Sequence, residues 1–255
     1  MESLDGVRAF YDSLAESYDL YYDDWQIARQ VQATALLRVL GASSGGTSLR
    51  VLDCASGIGT QSLGLAAQGA VVIGSDLSLA ATQRAYRESE SAQLGVPFIA
   101  SDMRALAFES RSFNCVVCAD NALPHLQGHD LHLALVEMHR VLEVGGTAII
   151  STRDYDEALR EQPRSTLPST NNSPQGRVIT FQLWDWTSGE GRYTLEHFQM
   201  MSDGDAWTVH RRETVYYAIR RGDLTNALNV AGFREIRWYS TRQSGFHQPL
   251  VCARV

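Results

Sequence analysis

The chain is poor in cysteine, which excludes several kinds of small stapled or metal-bound protein. Only four of its 255 residues are cysteine, too few to indicate a disulfide framework. Cys115 and Cys118 form a CxxC pair, but they lie in a predicted strand, where residues three apart point to opposite faces. A metal or redox clip is therefore not expected, and no metal ligands are predicted. We interpret Cys54 and Cys252 as small apolar core residues with free thiols, which is typical of proteins in a reducing compartment.

Basic charge is also scarce. The formal net charge is -7, and the only basic doublets are 211–212 and 220–221. Binding to duplex nucleic acid needs a concentrated basic face, so nucleic acid is not an expected partner.

The N-terminus contains no long apolar run. Glu2, Asp5, Arg8 and Asp12 interrupt it before such a run could form, so we expect neither a signal peptide nor a membrane span. The cytoplasm is the expected compartment. A chain of 255 residues with 44% hydrophobic residues is expected to form one α/β domain with additions.

A glycine turn follows the first strongly apolar segment. Val51 and Leu52 lead into Asp53, and Gly57 and Gly59 then allow a tight turn that a ligand can approach closely. Because neither glycine has a side chain, main-chain atoms of the turn are accessible to that ligand.

The segment after this turn has the spacing of a nucleoside site. We predict a helix over 60–68 and a strand over 70–75 that ends on Asp76, seventeen positions after Gly59. A carboxylate at the end of that neighbouring strand can accept hydrogen bonds from two ribose hydroxyls.

The details of the turn separate three kinds of nucleotide site. A dinucleotide fingerprint needs GxGxxG, but Ser62 stands at the third position and Ser56 or Ala55 at the first. A GxxxxGK[ST] phosphate loop is absent. The remaining acid-x-Ala-x-Gly-x-Gly pattern resembles motif I of class I S-adenosylmethionine-dependent methyltransferases. A redox Rossmann domain is the alternative.

Carboxylates also follow the later predicted strands. Four successive strands end on an acid: Asp53, Asp76, Asp102 and Asp120. Ligands bind outside the carboxyl ends of parallel strands, so we expect these acids at one rim. Asp102 with Met103 suits an adenine, whose amine would donate to the carboxylate. The alternative is that Asp102 only caps the turn before Ala105.

The alternation of strands and helices predicts a doubly wound parallel sheet. The resemblance to class I methyltransferases implies that this sheet is mostly parallel, seven-stranded and Rossmann-like. We place an N-terminal helical lid at 1–40, a cofactor-binding core at 41–153 and 215–255, and a substrate-side antiparallel insertion at 154–214. A polar loop is predicted over 165–175, followed by three strands. Ile179, Phe181 and Leu183 share one strand face and are expected to be buried above the rim.

The N-terminal segment is dense in aromatic and acidic residues. It can form two amphipathic helices packed on the core, or a lid whose rings and Arg29 close over the cofactor. Both interpretations can hold together.

Five segments carry a closer resemblance: VLDCASGIG, VVIGSDLS, ADNALPHL, EVGGTAIISTRDYD and YTLEHFQ. In order and spacing they resemble glycine N-methyltransferase and its bacterial relatives, which act on small amines. The resemblance spans about residues 18–233, and it implies an enzyme that uses S-adenosylmethionine.

The motif and the resemblance together give the predicted site. The predicted cofactor-binding residues are Tyr18, Tyr22, Trp25, Arg29, Asp53, Ala55, Gly57, Gly59, Asp76, Leu77, Asp102, Met103, Ala119 and His125. The predicted substrate-binding residues are Tyr21, Asn121, Arg153 and His197, with His197 also predicted to be catalytic.

Two of these residues keep alternative interpretations. Arg153 can hold a substrate carboxylate, or it can pair with Asp154, Asp156 or an N-terminal acid as a structural clamp. His125 can contact the methionyl end of the cofactor, or it can be a hydrogen-bonded core residue.

His197 departs from the family, which carries a tyrosine near the amine. We therefore expect an acceptor larger than glycine, in a pocket shaped by Trp184, His197, Trp207 and Tyr216 or Tyr217. The alternative is that these rings form the buried face of the small sheet. A proton from an amine could pass to His197 or His125.

The predicted reaction is methyl transfer to a small molecule at nitrogen, in an amine or heterocycle that can carry an acidic group held by Arg153. The alternatives are a small-molecule O-methyltransferase, a nicotinamide-dependent oxidoreductase and a non-catalytic protein that binds S-adenosylmethionine. The sequence predicts no oligomeric state.

Overall fold

Two β-sheets organise the chain in the computed structural model, which describes residues 4–41, 48–173, 176–187, 191–204 and 206–255. The helices are α1 (Leu4–Leu14), α2 (Trp25–Leu40), α3 (Thr60–Ala67), α4 (Leu79–Ser91), α5 (Gly128–Val141), α6 (Tyr155–Glu161), α7 (Arg221–Val230) and α8 (Thr241–Ser244), with 3-10 helices η1 (Ala15–Tyr21) and η2 (Leu123–His125). The strands are β1 (Arg50–Asp53), β2 (Val71–Asp76), β3 (Phe98–Ala100), β4 (Phe113–Cys118), β5 (Leu142–Ser151), β6 (Ser169–Ser173), β7 (Gly176–Thr187), β8 (Arg192–Asp203), β9 (Ala206–Tyr217), β10 (Arg234–Tyr239) and β11 (Leu250–Arg254).

The larger sheet has seven strands in the order β10-β11-β5-β4-β1-β2-β3. Strand β11 runs antiparallel to both of its neighbours, whereas the other pairs are parallel. This confirms the predicted doubly wound, mostly parallel fold. The sheet brings the carboxyl ends of β1, β2 and β4 side by side.

Helices cover both faces of this sheet. One buried cluster packs α5 and α7 against it through residues such as Leu135 and Leu228, and a second packs α2 and α3 through Leu36 and Leu63. Cys118 belongs to the first cluster and Cys115 to the second, as expected for residues three apart in a strand.

Helices α2 and α3 approach each other unusually closely. A Cβ atom at Gly64 would lie 2.3 Å from the carbonyl oxygen of Arg29. Glycine at this position therefore permits the helix crossing that seats α3 after the glycine turn.

The smaller sheet is antiparallel in the order β6-β7-β8-β9. The three predicted strands are β7, β8 and β9, but β6 lies inside the segment predicted as a loop over 165–175, so that prediction is wrong in part. The polar residues of β6 gave no apolar alternation, and its pairing with β7 is what makes it a strand.

The predicted buried face of this sheet is wrong. Val178 and Thr180 point inward with Trp184, whereas Leu183 on the opposite face is 37% exposed. Ile179 and Phe181 share that outer face and are only partly buried. Alternation in the sequence separated the two faces but did not reveal which one the core would cover.

The N-terminal segment bridges the two sheets. From the core, Arg84 of α4 donates to the carbonyl of Ala15 and to Asp19. From the small sheet, Asn171 donates to the carbonyl of Leu20 and Gln199 to that of Ser17. Helix α1 and η1 therefore cover the rim of the larger sheet. The segment forms the two predicted helices, α1 and α2, with the 3-10 helix η1 between them. The proposed domain boundaries remain predictions.

Among the described helices, none has the length and apolar character that a bilayer crossing requires.

Candidate functional site

A cavity lies at the carboxyl ends of β1, β2 and β4, beneath α1 and η1. We call it the rim cavity; it contains about 860 Å³ of space not filled by protein atoms. Nine of the residues predicted to bind a cofactor line it: Tyr18, Ala55, Gly57, Asp76, Leu77, Asp102, Met103, Ala119 and His125. The structure thus gathers residues from the glycine turn and from four strand ends around one space.

Five other predicted cofactor residues lie outside this lining: Tyr22, Trp25, Arg29, Asp53 and Gly59. Trp25 donates through its indole Nε1 to Thr60 at 2.8 Å, and the Arg29 guanidinium lies 5.0 Å from the Trp25 ring centroid. The bond to Thr60 joins α2 to α3, whereas the contact between Arg29 and Trp25 lies within α2. A cofactor role for Trp25 and Arg29 stays a prediction, and the visible contacts of both residues are structural.

The glycine turn and the acid of β2 are directly connected. Asp76 accepts hydrogen bonds from the main-chain N–H of Gly57 and of Ser78, each at 2.8 Å. Burial raises the pKa of the Asp76 carboxyl. Each oxygen has a second lone pair, so these bonds orient the carboxylate and leave it able to accept hydrogen bonds from a ligand.

Asp53 lies fully buried beneath the turn. Its Oδ2 accepts a hydrogen bond from the Ser62 hydroxyl at 2.6 Å, while its Oδ1 has no hydrogen-bond partner among the described residues. Burial raises the pKa of Asp53 to about 7. A positive charge nearby would favour the ionised form.

The segment after β4 has a strained backbone. Asp120 and Asn121 have φ values of 54° and 64°, a left-handed conformation that is uncommon outside glycine and recurs at functional sites. Asp120 accepts hydrogen bonds from Gln61 at 2.8 Å and from the Tyr22 hydroxyl at 3.3 Å.

His247 completes the surroundings of Asp120. Its Nε2 lies 3.0 Å from the Asp120 Oδ1. Burial alone raises the pKa of Asp120, but the contact with His247 and the hydrogen bond from Gln61 hold that pKa below its ordinary value. The sequence analysis did not predict His247 or Gln61 as site residues.

The charged residues that line the rim cavity in the described structure are all acidic. Its charged lining residues are Asp76, Asp102 and Asp120, and no arginine is among the described residues that line it. Lysine does not occur anywhere in the chain. Asp102 also pairs with Arg104 at 2.8 Å, outside the lining. Such a cavity favours a neutral or positively charged ligand over a pyrophosphate.

His125 is held in one neutral form. Its Nδ1 lies 3.0 Å from the carbonyl oxygen of Val215, which can only accept, so Nδ1 carries the proton. Its Nε2 therefore accepts from the Tyr11 hydroxyl at 2.9 Å. Burial lowers the pKa of His125 to about 3. The ring lines the cavity and is also a hydrogen-bonded core residue.

A second cavity adjoins the first beneath the small sheet. We call it the tyrosine cavity; it contains about 720 Å³. Among the predicted residues, Tyr21, Tyr22, Arg153 and His197 line it, whereas Asn121 does not. Instead, Asn121 donates to the Tyr155 hydroxyl at 2.9 Å and accepts from the main-chain N–H of Arg153. Both cavities share Tyr11, Tyr18 and Asp120 as lining residues.

Arg153 is a cation without an acidic partner among the described residues. Its guanidinium donates to the Tyr193 hydroxyl at 2.6 Å and to Gln182 at 3.0 Å, and lies 4.4 Å from the Trp184 ring centroid. Asp154, which could have clamped it, pairs with Arg221 at 2.6 Å. Burial alone lowers the pKa of Arg153, but the neighbouring tyrosines raise it above its ordinary value, so the side chain stays charged.

His197 is 1% exposed, and its Nδ1 is hydrogen-bonded to the Tyr21 hydroxyl. Its Nε2 is buried with no hydrogen-bond partner among the described residues. Burial and the charge of Arg212 lower the pKa of His197 to about 3. His197 is therefore neutral at pH 7, which makes it a weak base; its predicted catalytic role stays a prediction.

The aromatic wall of this cavity differs from the expected one. Tyr216 lines it, and Trp184 contacts Arg153 from the side. Trp207, however, is 42% exposed on the outer face of the small sheet, so its expected place in the pocket is wrong.

Comparisons with known proteins agree with this architecture. Residues 51–146 match the family model of a methyltransferase domain. The chain is 26% identical over 231 residues to glycine/sarcosine N-methyltransferase of Parasynechococcus marenigrum, covering 89% of this chain and 76% of that enzyme.

Two further proteins are similar. Demethylmenaquinone methyltransferase of Thermobifida fusca is 33% identical over 146 residues, which cover 56% of this chain and 59% of that enzyme. The crystal structure of a S-adenosylmethionine-dependent methyltransferase from Clostridium acetobutylicum superposes with a TM-score of 0.76 at 15% identity, covering 96% of this chain and 98% of that one.

Proposed function

We propose that this chain is a class I S-adenosylmethionine-dependent methyltransferase of small molecules, and that it methylates a nitrogen of an amine or heterocycle whose acidic group is held by Arg153. When bound, S-adenosylmethionine supplies a methyl group already activated by a sulfonium. The chain's own residues must therefore bind, align and shield the two reactants.

The rim cavity fits this cofactor. The Asp76 carboxylate, oriented by Gly57, can accept from the two ribose hydroxyls. Asp102 and Met103 line the cavity and are the proposed contacts of the adenine. Both Asp102 oxygens also accept from the Arg104 side chain, so an adenine amine would use their remaining lone pairs. Three carboxylates without a cation in the described lining can stabilise a sulfonium.

The observation that carries the acceptor proposal is the state of Arg153. A partly buried guanidinium whose described partners are a hydroxyl, an amide and aromatic rings lacks an anion to balance it. A carboxylate on the acceptor could bind it through two charge-assisted hydrogen bonds. The surrounding rings of Tyr216 and Tyr21 suit a flat or apolar acceptor body.

Support for nitrogen comes from the relative named for glycine and sarcosine N-methylation, whereas the demethylmenaquinone relative carries a different acceptor in its name. An unprotonated nitrogen needs no strong base to attack. The rate enhancement then comes from alignment of the two reactants, which raises their effective molarity, and from exclusion of water beneath α1 and η1.

A tritiated-methyl transfer screen tests the proposal. Purified protein is incubated with labelled S-adenosylmethionine and three acceptor sets: amines, amino acids and nitrogen heterocycles; matched phenols and carboxylic acids; and quinols. Transfer to nitrogen compounds that carry a carboxylate is expected. Transfer only to the phenols or quinols would contradict the acceptor assignment. Calorimetry with S-adenosylhomocysteine and with NADH checks the cofactor separately.

A further inference from the structure

We propose that Asp120 and His247 form a proton relay that carries the proton released by the methyl acceptor from the tyrosine cavity to solvent. This inference rests on the proposed function, because it requires an acceptor that loses a proton. His247 has no role in the reaction above, and Asp120 enters it only as one of the three carboxylates that line the rim cavity.

Asp120 stands where the two reactants meet. It lines both the rim cavity and the tyrosine cavity, and only Tyr11 and Tyr18 share that position among the described residues. Its φ of 54° is a left-handed conformation that costs conformational free energy, and the surrounding structure holds the residue in it. Donors from Gln61 and Tyr22 fix one carboxylate oxygen. The other oxygen lies 3.0 Å from the Nε2 of His247 and has no hydrogen bond of regular geometry among the described residues, so it is open to a proton.

His247 connects that carboxylate to the outside. Together with Arg153 and Gln248 it lines both the tyrosine cavity and an outer cleft between α6 and the segment before β11. Its side chain is 46% exposed, while that of Asp120 is 19% exposed. The imidazole therefore lies between the tyrosine cavity and the outer cleft.

The other two histidines near the reaction cannot perform this task. Both ring nitrogens of His125 already have hydrogen-bond partners within the protein. His197 is enclosed, with Nδ1 bonded to Tyr21. His247 is the histidine of the tyrosine cavity that combines a carboxylate partner with exposure in the outer cleft.

Charged residues lie near His247 both in the tyrosine cavity and in the outer cleft. Asp120 faces it from the end of β4, and Arg153 lies on the same cavity wall from the end of β5. In the outer cleft, Asp154 and Arg221 form an ion pair and Glu157 lies on the same side.

The step balances as follows. The nitrogen lone pair forms a bond to the methyl carbon while the carbon–sulfur bond breaks and its electron pair stays on sulfur. The new ammonium gives its proton to the Asp120 carboxylate. Asp120 passes a proton to the imidazole of His247, and His247 releases one to water in the outer cleft, which restores both groups.

Nuclear magnetic resonance tests the coupling without any acceptor. The ¹⁵N resonances of His247, identified by their loss in His247→Ala, should shift in Asp120→Asn. They should stay in place in Asp102→Asn, which changes an acid on the other side of the rim cavity. Unchanged His247 resonances in Asp120→Asn would overturn the relay.

Chemical rescue tests transfer itself. With sarcosine and 4-(methylamino)benzoate as probe acceptors, His247→Ala should lower kcat by about tenfold or more while S-adenosylhomocysteine affinity stays at the wild-type value. Added imidazole should enter the vacated outer cleft and restore kcat. His129→Ala, an exposed histidine at the start of α5, is the matched control and should neither lose activity nor respond to imidazole.

The outcomes separate the two proposals. Wild-type kcat in His247→Ala, or a loss that imidazole does not restore while the cofactor still binds, would refute the relay and leave the methyl acceptor assignment standing. If the wild-type enzyme methylates neither probe nor any nitrogen compound of the screen, the proposed function fails, and the resonance shifts still decide whether Asp120 and His247 are coupled.

Discussion

The Asp76 carboxylate accepts a hydrogen bond from the main-chain N–H of Gly57, with 2.8 Å between donor and acceptor. This bond ties the turn after β1 to the end of β2 and sets the direction of the carboxylate. The two parts of the nucleoside pattern seen in the sequence are thus one structural unit.

Replacement of Asp76 should therefore weaken cofactor binding. Asp76→Ala removes the proposed acceptor for the ribose hydroxyls and also frees the N–H of Gly57, so S-adenosylmethionine affinity should fall by about 1–3 kcal/mol. Isothermal calorimetry measures the change. Asp185→Ala, at an exposed acid on β7, should leave affinity intact, and an equal loss in both variants would argue against a specific role.

Arg153→Ala should affect the acceptor and not the cofactor. The side chain lines the tyrosine cavity and lies outside the rim cavity lining, so the KM of an acidic acceptor should rise about tenfold or more while S-adenosylhomocysteine affinity stays nearly constant. Arg153→Lys should rescue little, because a lysine cannot donate to Tyr193 and Gln182 with the fixed geometry of a guanidinium. Arg160→Ala, an exposed arginine on α6, serves as the control. An unchanged KM for acids of every size would count against the assignment.

Stability should depend on pH through Asp53. Burial raises its folded pKa to about 7, above the ordinary value of about 3.9 expected in the unfolded chain. The folded protein thus takes up a proton that the unfolded chain has lost. The free energy of unfolding is therefore highest, as far as Asp53 determines it, below about pH 4. It declines by up to about 1.4 kcal/mol per pH unit as the pH rises toward about 7.

Asp53→Asn removes that titration. The difference in unfolding free energy between about pH 5 and about pH 8 should be smaller in the variant than in the wild type, as measured by urea denaturation. Asp185→Asn should leave the difference unchanged. Equal pH profiles for the wild type and Asp53→Asn would show that Asp53 does not titrate in this range.

Gly64→Ala should loosen the packing of α2 on α3. The added Cβ would meet the Arg29 carbonyl oxygen at 2.3 Å, and because that atom belongs to the backbone, the helices must shift. A loss of about 1–3 kcal/mol is expected in thermal unfolding. Gly222→Ala in α7, where a Cβ would have nothing within 4 Å, should be neutral or slightly stabilising. A similar melting temperature for both variants would contradict the close helix contact.

Much of the core could be predicted because its signals are local. The glycine turn, the acid at the end of β2 and the alternation of apolar strands with helices all lie within short windows of sequence. These patterns reflect backbone geometry and sheet topology, and both persist in the structure. The strand at Cys115 and Cys118 shows the same logic, since its two faces enter different cores.

The remaining features depend on contacts between distant segments. His247 reaches Asp120 from a position 127 residues later in the chain, and nothing in the segment GFHQPL marks it as a site residue. Trp25 has the aromatic character expected of a lid, yet its partner Thr60 places it between helices. In the small sheet, alternation distinguished Phe181 from Trp184 but could not tell which would face the core.

The sign of the charge around the rim cavity has a consequence for turnover. Methyl transfer converts a cationic sulfonium into a neutral thioether within a space whose charged lining residues are Asp76, Asp102 and Asp120. The attraction that draws the fresh cofactor inward is absent for its spent form. The reaction thereby weakens the hold on its own by-product and favours its exchange.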